Sequence, residues 1–209
     1  MTLKNKRIHR LMQLGFIGIA NCFLGKIYLR LLSMVFKFDR WHTSAPYSCR
    51  PYKSEVVNAA NNINPSSVLE VGCGLGEIVS KINSKKCFGI DRDAHVINAA
   101  IFLCRKKKIK FFVANLSDVQ IISNNIGQNI DLLVLVNWPH GCPWSQLYDA
   151  VRNLINTLGV SSILIDGINP DVSGYSNYYG AKDFEQWGKI VNVTPLSDNV
   201  RSLYHIEIN

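Results

Sequence analysis

Residues 66–82 read SSVLEVGCGLGEIVSKI. An apolar run the length of one buried strand enters a turn in which Gly72, Gly74 and Gly76 take every second place, and the start of a helix is expected after it. Glycine serves where the backbone needs positive φ or must pass close to a ligand. A strand, a glycine turn and a helix in immediate succession predict an α/β domain that meets its ligand at the carboxyl end of the strand. Glu70 stands two residues before the first glycine, so a carboxylate belongs to that same end.

The chain around this stretch fits such a domain. A helix is expected from near Tyr52 to about Asn61. Strands follow at SSVLEV (66–71), KCFGI (86–90), IKFFVA (109–114), IDLLVLV (130–136) and SSILID (161–166). Amphipathic helices are expected over 91–107 and around Ser145–Thr157. Apolar runs without alternation suit strands covered on both faces, and the strand–helix alternation predicts a parallel sheet between two helical layers. The end of the chain differs. A short helix near Ala181–Trp187 precedes KIVNVT and SLYHIEI, and the PLSDNVR between them predicts an antiparallel hairpin.

The spacing of the glycines narrows the ligand. A dinucleotide-binding turn has the pattern GxGxxG, with pyrophosphate on the helix N-terminus. Counted from Gly72, its third glycine would be residue 77, which is Glu77. No Gly-Lys-Ser/Thr follows, so a P-loop is excluded. Carboxylates at positions 70 and 77 would repel a pyrophosphate and suit a ligand that carries an ammonium.

VLEVGCGLG followed by GIDRD resembles the cofactor region of the class I S-adenosylmethionine-dependent methyltransferases. The resemblance implies a Rossmann-like, seven-stranded, mostly parallel α/β sheet with a C-terminal antiparallel hairpin, and S-adenosylmethionine as cofactor. It implies that Glu70 faces the methionine end and that Gly72, Gly74 and Gly76 let the chain pass close to the cofactor. Asp91 matches the acid that holds the two ribose hydroxyls, and a carboxylate can accept two hydrogen bonds from a diol. Asn115 stands near the family's adenine position after the third strand, and Asn137, just after the fourth, completes the cofactor set. Two other classes stay open: a scaffold that kept this fold without the reaction, and an NAD-dependent oxidoreductase, which Glu77 disfavours.

The acceptor side is carried by fewer residues. In NWPHG (137–141), Trp138 breaks the Pro-Pro-aromatic pattern of amide-methylating relatives. His140 is a candidate catalytic base, with a pKa range suited to a substrate hydroxyl. Before the domain, FDRWHTSAPYSCRPYKSE (38–55) offers His42 as a second catalytic candidate and Tyr52 as a lid or substrate contact. GYSNYYG (174–180) is a candidate substrate wall.

Charge divides the chain at about residue 40. Residues 1–40 hold eight bases and one acid, whereas the remainder holds fifteen bases and fourteen acids. The expected division is a basic amphipathic helical extension over 1–40 and a methyltransferase domain over 41–209. Lys26, Arg30, Ser33 and Lys37 fall on one helical face, and Ile27, Leu31, Leu32, Met34, Val35 and Phe36 fill the remainder, so residues 1–37 are expected to lie on an anionic membrane. The uncharged stretch Leu11–Gly25, at 15 residues, is too short to span one. No basic stripe accompanies the glycine motif in the near-neutral domain, and no nucleic acid is expected. Six scattered cysteines form no CxxC pair, and no metal site is expected; all six read as free thiols in a reducing cytosol. The expected protein is cytoplasmic, peripheral on the inner face of the membrane, and methylates a small-molecule, glycan or lipid-linked acceptor.

Overall fold

The computed structural model describes the backbone of residues 3–44 and 46–208, with side chains from residue 16 onward. Seven strands form one sheet: β1 (Ser67–Val71), β2 (Lys86–Asp91), β3 (Ile109–Val113), β4 (Leu132–Leu135), β5 (Ser162–Ile168), β6 (Lys189–Pro195) and β7 (Arg201–Glu207). Their spatial order is β3-β2-β1-β4-β5-β7-β6. The first five strands pair in parallel, and β7 inserts antiparallel between β5 and β6. This is the expected sheet with its terminal hairpin. The strand order reverses between β1 and β4, where such sheets open a crevice at their carboxyl ends.

Among the described residues the α-helices are α1 (Leu3–Phe36), α2 (Arg40–Thr43), α3 (Tyr52–Ile63), α4 (Ala94–Leu103), α5 (Val119–Ile126), α6 (Trp144–Leu158) and α7 (Ala181–Phe184). Strand alternation builds two cores. Leu133 and Leu135 point with Leu69 and Val71 toward Leu147, Val151 and Leu154 of α6. Leu132 and Val134 point the other way, with Val68, toward Tyr52, Val56 and Ala60 of α3. A third core joins Leu29 and Leu32 of α1 to Phe38, Leu75 of the glycine turn, and Val96 and Ala99 of α4. The extension therefore packs directly behind the glycine turn.

Two expectations are corrected, and two features are added. The glycine turn opens no α-helix: turns lead only to a 3-10 segment, Val79–Lys81. The Cys73 amide donates to Ile90 O (2.9 Å) and the Val79 amide to the Glu70 carboxylate (2.8 Å), which holds this stretch against the sheet. Second, Cys22 of α1 and Cys49 of the 3-10 turn Tyr47–Cys49 are disulfide-bonded. They lie 27 residues apart in sequence but have Cα atoms 5.1 Å apart, a separation within disulfide range. The other four cysteines are free. Third, the parallel pairing of β2 with β3, Cys87 beside Ile109, brings two basic runs together. Lys85, Lys86, Lys107, Lys108 and Lys110 line one shallow hollow, a local basic patch at the amino ends of these strands, away from the glycine turn. Fourth, the apolar part of α1 runs on past its charge-free stretch: Phe16–Phe36, 21 residues, is long and apolar enough to cross a bilayer by length and composition alone.

Candidate cofactor and active site

A cavity of about 840 Å³ opens at the carboxyl ends of the first four strands. Its wall includes Glu70, Gly72 and Gly74 from the end of β1, Asp91 from β2, Asn115 after β3 and Asn137 after β4. These six sequence-predicted residues, up to 67 positions apart in the chain, thus share one cavity because the parallel strands end together. Gly76 is not part of its wall. A Cβ on Gly76 would lie 2.7 Å from the Phe111 ring, so this glycine serves packing beneath the turn. Gly72 has a double duty: at φ +67°, a Cβ would lie 2.5 Å from the Trp138 indole. That indole N–H donates to Val71 O at 2.7 Å and closes the end of β1. Gly74, at φ +53°, faces the His42 ring, with 3.3 Å to a Cβ placed there.

Glu70 is only 4% exposed. Burial raises its pKa to about 8, against the opposing pull of the Val79 amide and the charge of Lys53; Glu77 and Asp91 push it further up. A buried carboxyl of this kind stays protonated until a cation arrives beside it. Asp91 accepts the Gly74 amide on one oxygen and the Asp93 amide on the other, both at 3.1 Å. Each carboxylate oxygen retains a further lone pair for a ligand hydroxyl. The donor set fits a ligand with an ammonium at one end and a diol at the other.

The segment ahead of α3 covers this cavity. The Tyr47 amide donates to one oxygen of Glu77 at 2.8 Å, and Lys53 pairs with the other. Glu77 therefore fastens the 3-10 turn and α3 to the glycine turn. Trp41, His42, Arg50 and Tyr52 complete the wall on this side. His42 Nδ1 lies 2.9 Å from Asp39 Oδ1.

Asn137 adopts φ +82°. Its amide donates to both Asp166 oxygens at 2.9 Å. Its side-chain oxygen accepts from Tyr52 Oη and Arg201 Nη1, both at 3.1 Å. Arg201 is buried between Asp166 (2.8 Å) and Asp198 (2.6 Å), with its guanidinium 3.8 Å from the centre of the Tyr52 ring. Burial works against this cation, but Asp166, Tyr52 and Asp198 outweigh it and raise its pKa. None of Asp166, Asp198 and Arg201 was singled out in the sequence. A buried ion pair spanning 35 residues leaves no local pattern.

His140 lies outside the cavity wall. Its ring stands edge-on to Tyr175, 4.9 Å between centroids, and burial pushes its pKa down, with Asp166 and Arg201 acting in opposite directions. The 174–180 loop is likewise turned away. Asn177 donates to His140 O at 3.0 Å, and Tyr179 packs on Trp144, 5.1 Å between ring centroids. Among the described residues, no cluster of three or more His, Cys, Asp or Glu could hold a metal.

No family model and no curated protein matches this sequence. Solved structures do match its fold. The N-methyltransferase NodS from Bradyrhizobium japonicum WM9, in complex with S-adenosyl-L-homocysteine, superposes with a TM-score of 0.62 at 16% identity, over 86% of this chain and 97% of that one. The magnesium protoporphyrin IX methyltransferase ChlM from Synechocystis PCC 6803, with bound SAM, gives 0.60 at 11% identity, over 75% and 78%. The chain has the class I S-adenosylmethionine-dependent methyltransferase fold. TehB from Haemophilus influenzae also shares this methyltransferase fold, with a TM-score of 0.58 at 16% identity, over 75% of this chain and 62% of that one.

Proposed function

We propose that the protein is an S-adenosylmethionine-dependent methyltransferase. Its acceptor is a small, glycan-linked or lipid-linked molecule met at the cytoplasmic face of a membrane. One observation carries the enzymatic reading: buried Glu70, the open Gly72–Gly74 turn and Asp91 line one cavity at the switch point of a methyltransferase-type sheet. The cofactor is also the one present in ChlM with bound SAM.

When bound, the cofactor would supply a methyl on a positively charged sulfonium, open to direct displacement. Glu70 receives the cationic methionine end and ionises against it. Asp91 receives the ribose hydroxyls while it holds the turn in place through the Gly74 amide. Asn115 stands at the adenine end, its own amide held by Asp118 Oδ2 at 2.8 Å. Asn137, fixed from behind by Asp166 and Arg201, stands at the acceptor end with Tyr52. His42 is better placed than His140 to take a proton from an acceptor hydroxyl, because it lines the cavity and Asp39 orients its ring. The protein's share of the catalysis is alignment and exclusion of water.

The membrane part of the reading rests on α1, which carries exposed apolar side chains and packs beside the cavity cover. The test is to incubate the full chain with methyl-labelled S-adenosylmethionine and separate aqueous and organic-phase extracts of bacterial cells. Label in the organic phase supports a lipid-linked acceptor, and label in the aqueous phase a soluble one. Cofactor binding without transfer to either would favour the scaffold reading.

A further inference from the structure

The outward face of α1 is apolar, not basic. Cys22, Leu29 and Leu32 turn toward the domain and are buried. On the opposite side, Phe16, Phe23, Leu24, Leu31, Met34 and Val35 are each more than half exposed. At 100° per residue these six, with Ile27 between them, fall within one face. Lys26 and Arg30 run along its edge rather than across it. A helix apolar on both sides has a partner on each, and among the described residues only the domain side has one.

The ridge continues onto the domain. Phe36, at the end of α1, meets Phe102 of α4, 5.4 Å between ring centroids, and Ile101 beside it is exposed. The Arg105 guanidinium lies 4.5 Å over the same Phe102 ring. From there the surface turns basic: Arg105 to Lys108 are all exposed, and the hollow between β2 and β3 adds Lys85, Lys86 and Lys110. An apolar ridge thus runs through Phe102 into a cluster of seven bases.

We infer that this continuous surface docks onto an anionic bilayer, with the α1 ridge among the acyl chains and the Arg105–Lys110 cluster on the headgroups. The occupant follows from charge complementarity: bases edge the ridge at Lys26 and Arg30 and cap its end. The pose is in-plane. Although Phe16–Phe36 has the length of a span, one side of it is buried against α4 and bonded to Cys49, so a crossing helix would carry the domain into the hydrocarbon. The inference deepens the membrane part of the proposed function: it adds the domain's own basic cluster to the contact and fixes which apolar side of α1 meets the lipid.

The test is sedimentation of the full chain with vesicles of phosphatidylcholine alone or equimolar with phosphatidylglycerol. Binding is expected to the anionic vesicles and to weaken with salt without vanishing. Each base near such a surface contributes about fivefold in partitioning, so Lys106→Glu/Lys107→Glu/Lys108→Glu should cost roughly a hundredfold or more. Leu24→Ser/Leu31→Ser should remove the salt-resistant remainder. All five positions are exposed, and calorimetry with S-adenosylmethionine checks that both variants keep the parent's cofactor affinity. Three outcomes would overturn the inference. The parent could ignore both vesicles. The triple variant could bind as tightly as the parent. The chain could sediment as a lipid-free dimer that Leu24→Ser/Leu31→Ser dissociates, which would give the ridge to a second copy. Absent cofactor binding in a parent that still binds vesicles would contradict methyl transfer and leave this surface standing.

Discussion

The amide of Gly74 donates to the carboxylate of Asp91 at 3.1 Å, so the residue proposed to hold the ribose also holds the turn that would pass under the cofactor. Asp91→Ala removes both contacts. Each lost charge-assisted hydrogen bond is worth about 1.5–3 kcal/mol, so cofactor affinity should fall at least tenfold in a protein that remains folded. Asp91→Asn, which keeps acceptor oxygen for the Gly74 amide, should lose less. Equal affinity in the folded Asp91→Ala variant would remove Asp91 from the site.

Glu70 predicts a pH signature. Its pKa lies near 8 in the ligand-free fold, against 4.5 for an ordinary glutamate. The folded state thus holds this proton more tightly than the unfolded chain. The associated stability is full below about 4.5 and is lost as pH rises through 8. Glu70→Gln should flatten stability across that window in urea titrations. A cationic ligand should displace the proton, so the heat of S-adenosylmethionine binding at neutral pH should depend on the ionisation enthalpy of the buffer. A buffer-independent heat would mean that Glu70 does not face the charged end.

How far the sequence carried this account depends on the range of each signal. The strands of the sheet and the wall residues Glu70, Gly72, Gly74 and Asp91 were legible because each rests on a local pattern: an apolar run, a glycine turn, an acid at a strand end. Gly76 carries the same local pattern but packs on Phe111, a partner 35 residues away. Helix α5 was missed because its eight residues, VQIISNNI, are too few to show a clear helical period and its N-cap, Asp118, makes no side-chain cap bond. The Cys22–Cys49 bond, the Asp166–Arg201 pair and the joined lysine runs of β2 and β3 depend on chain crossings that no local spacing encodes. His140 looked suitable by residue type and position after β4, yet the 174–180 loop covers it.

Arg201 is buried between two carboxylates and touches the Asn137 side chain. Removing one partner of such a buried group costs about 3–5 kcal/mol, because charge is left unpaired. Arg201→Leu should therefore lower the unfolding midpoint sharply. Arg201→Lys should recover part of the stability, but not the forked contact with Asn137 and Asp198. Thermal unfolding of the two variants checks this, and an Arg201→Leu protein as stable as the parent would show that the pair is not a structural anchor.

The Cys22–Cys49 bond closes a loop between residues 27 apart in sequence. The chain-entropy relation gives about 3–4 kcal/mol for a loop of this size. Protein purified without reductant should show four titratable thiols after denaturation, out of six cysteines. Reduction should raise the count to six and lower the unfolding midpoint. Six thiols before reduction would contradict the bond between α1 and the cavity cover.

The most direct measurement is a calorimetric titration of the full chain with S-adenosylmethionine, with NAD as the comparison. Saturable one-to-one binding of S-adenosylmethionine, weakened by Gly74→Val because a branched side chain at φ +53° would strain the turn and press on His42, is the predicted result. A chain that binds NAD instead, or a Gly74→Val variant that binds S-adenosylmethionine as the parent does, would contradict the assignment of this cavity to the methyl donor.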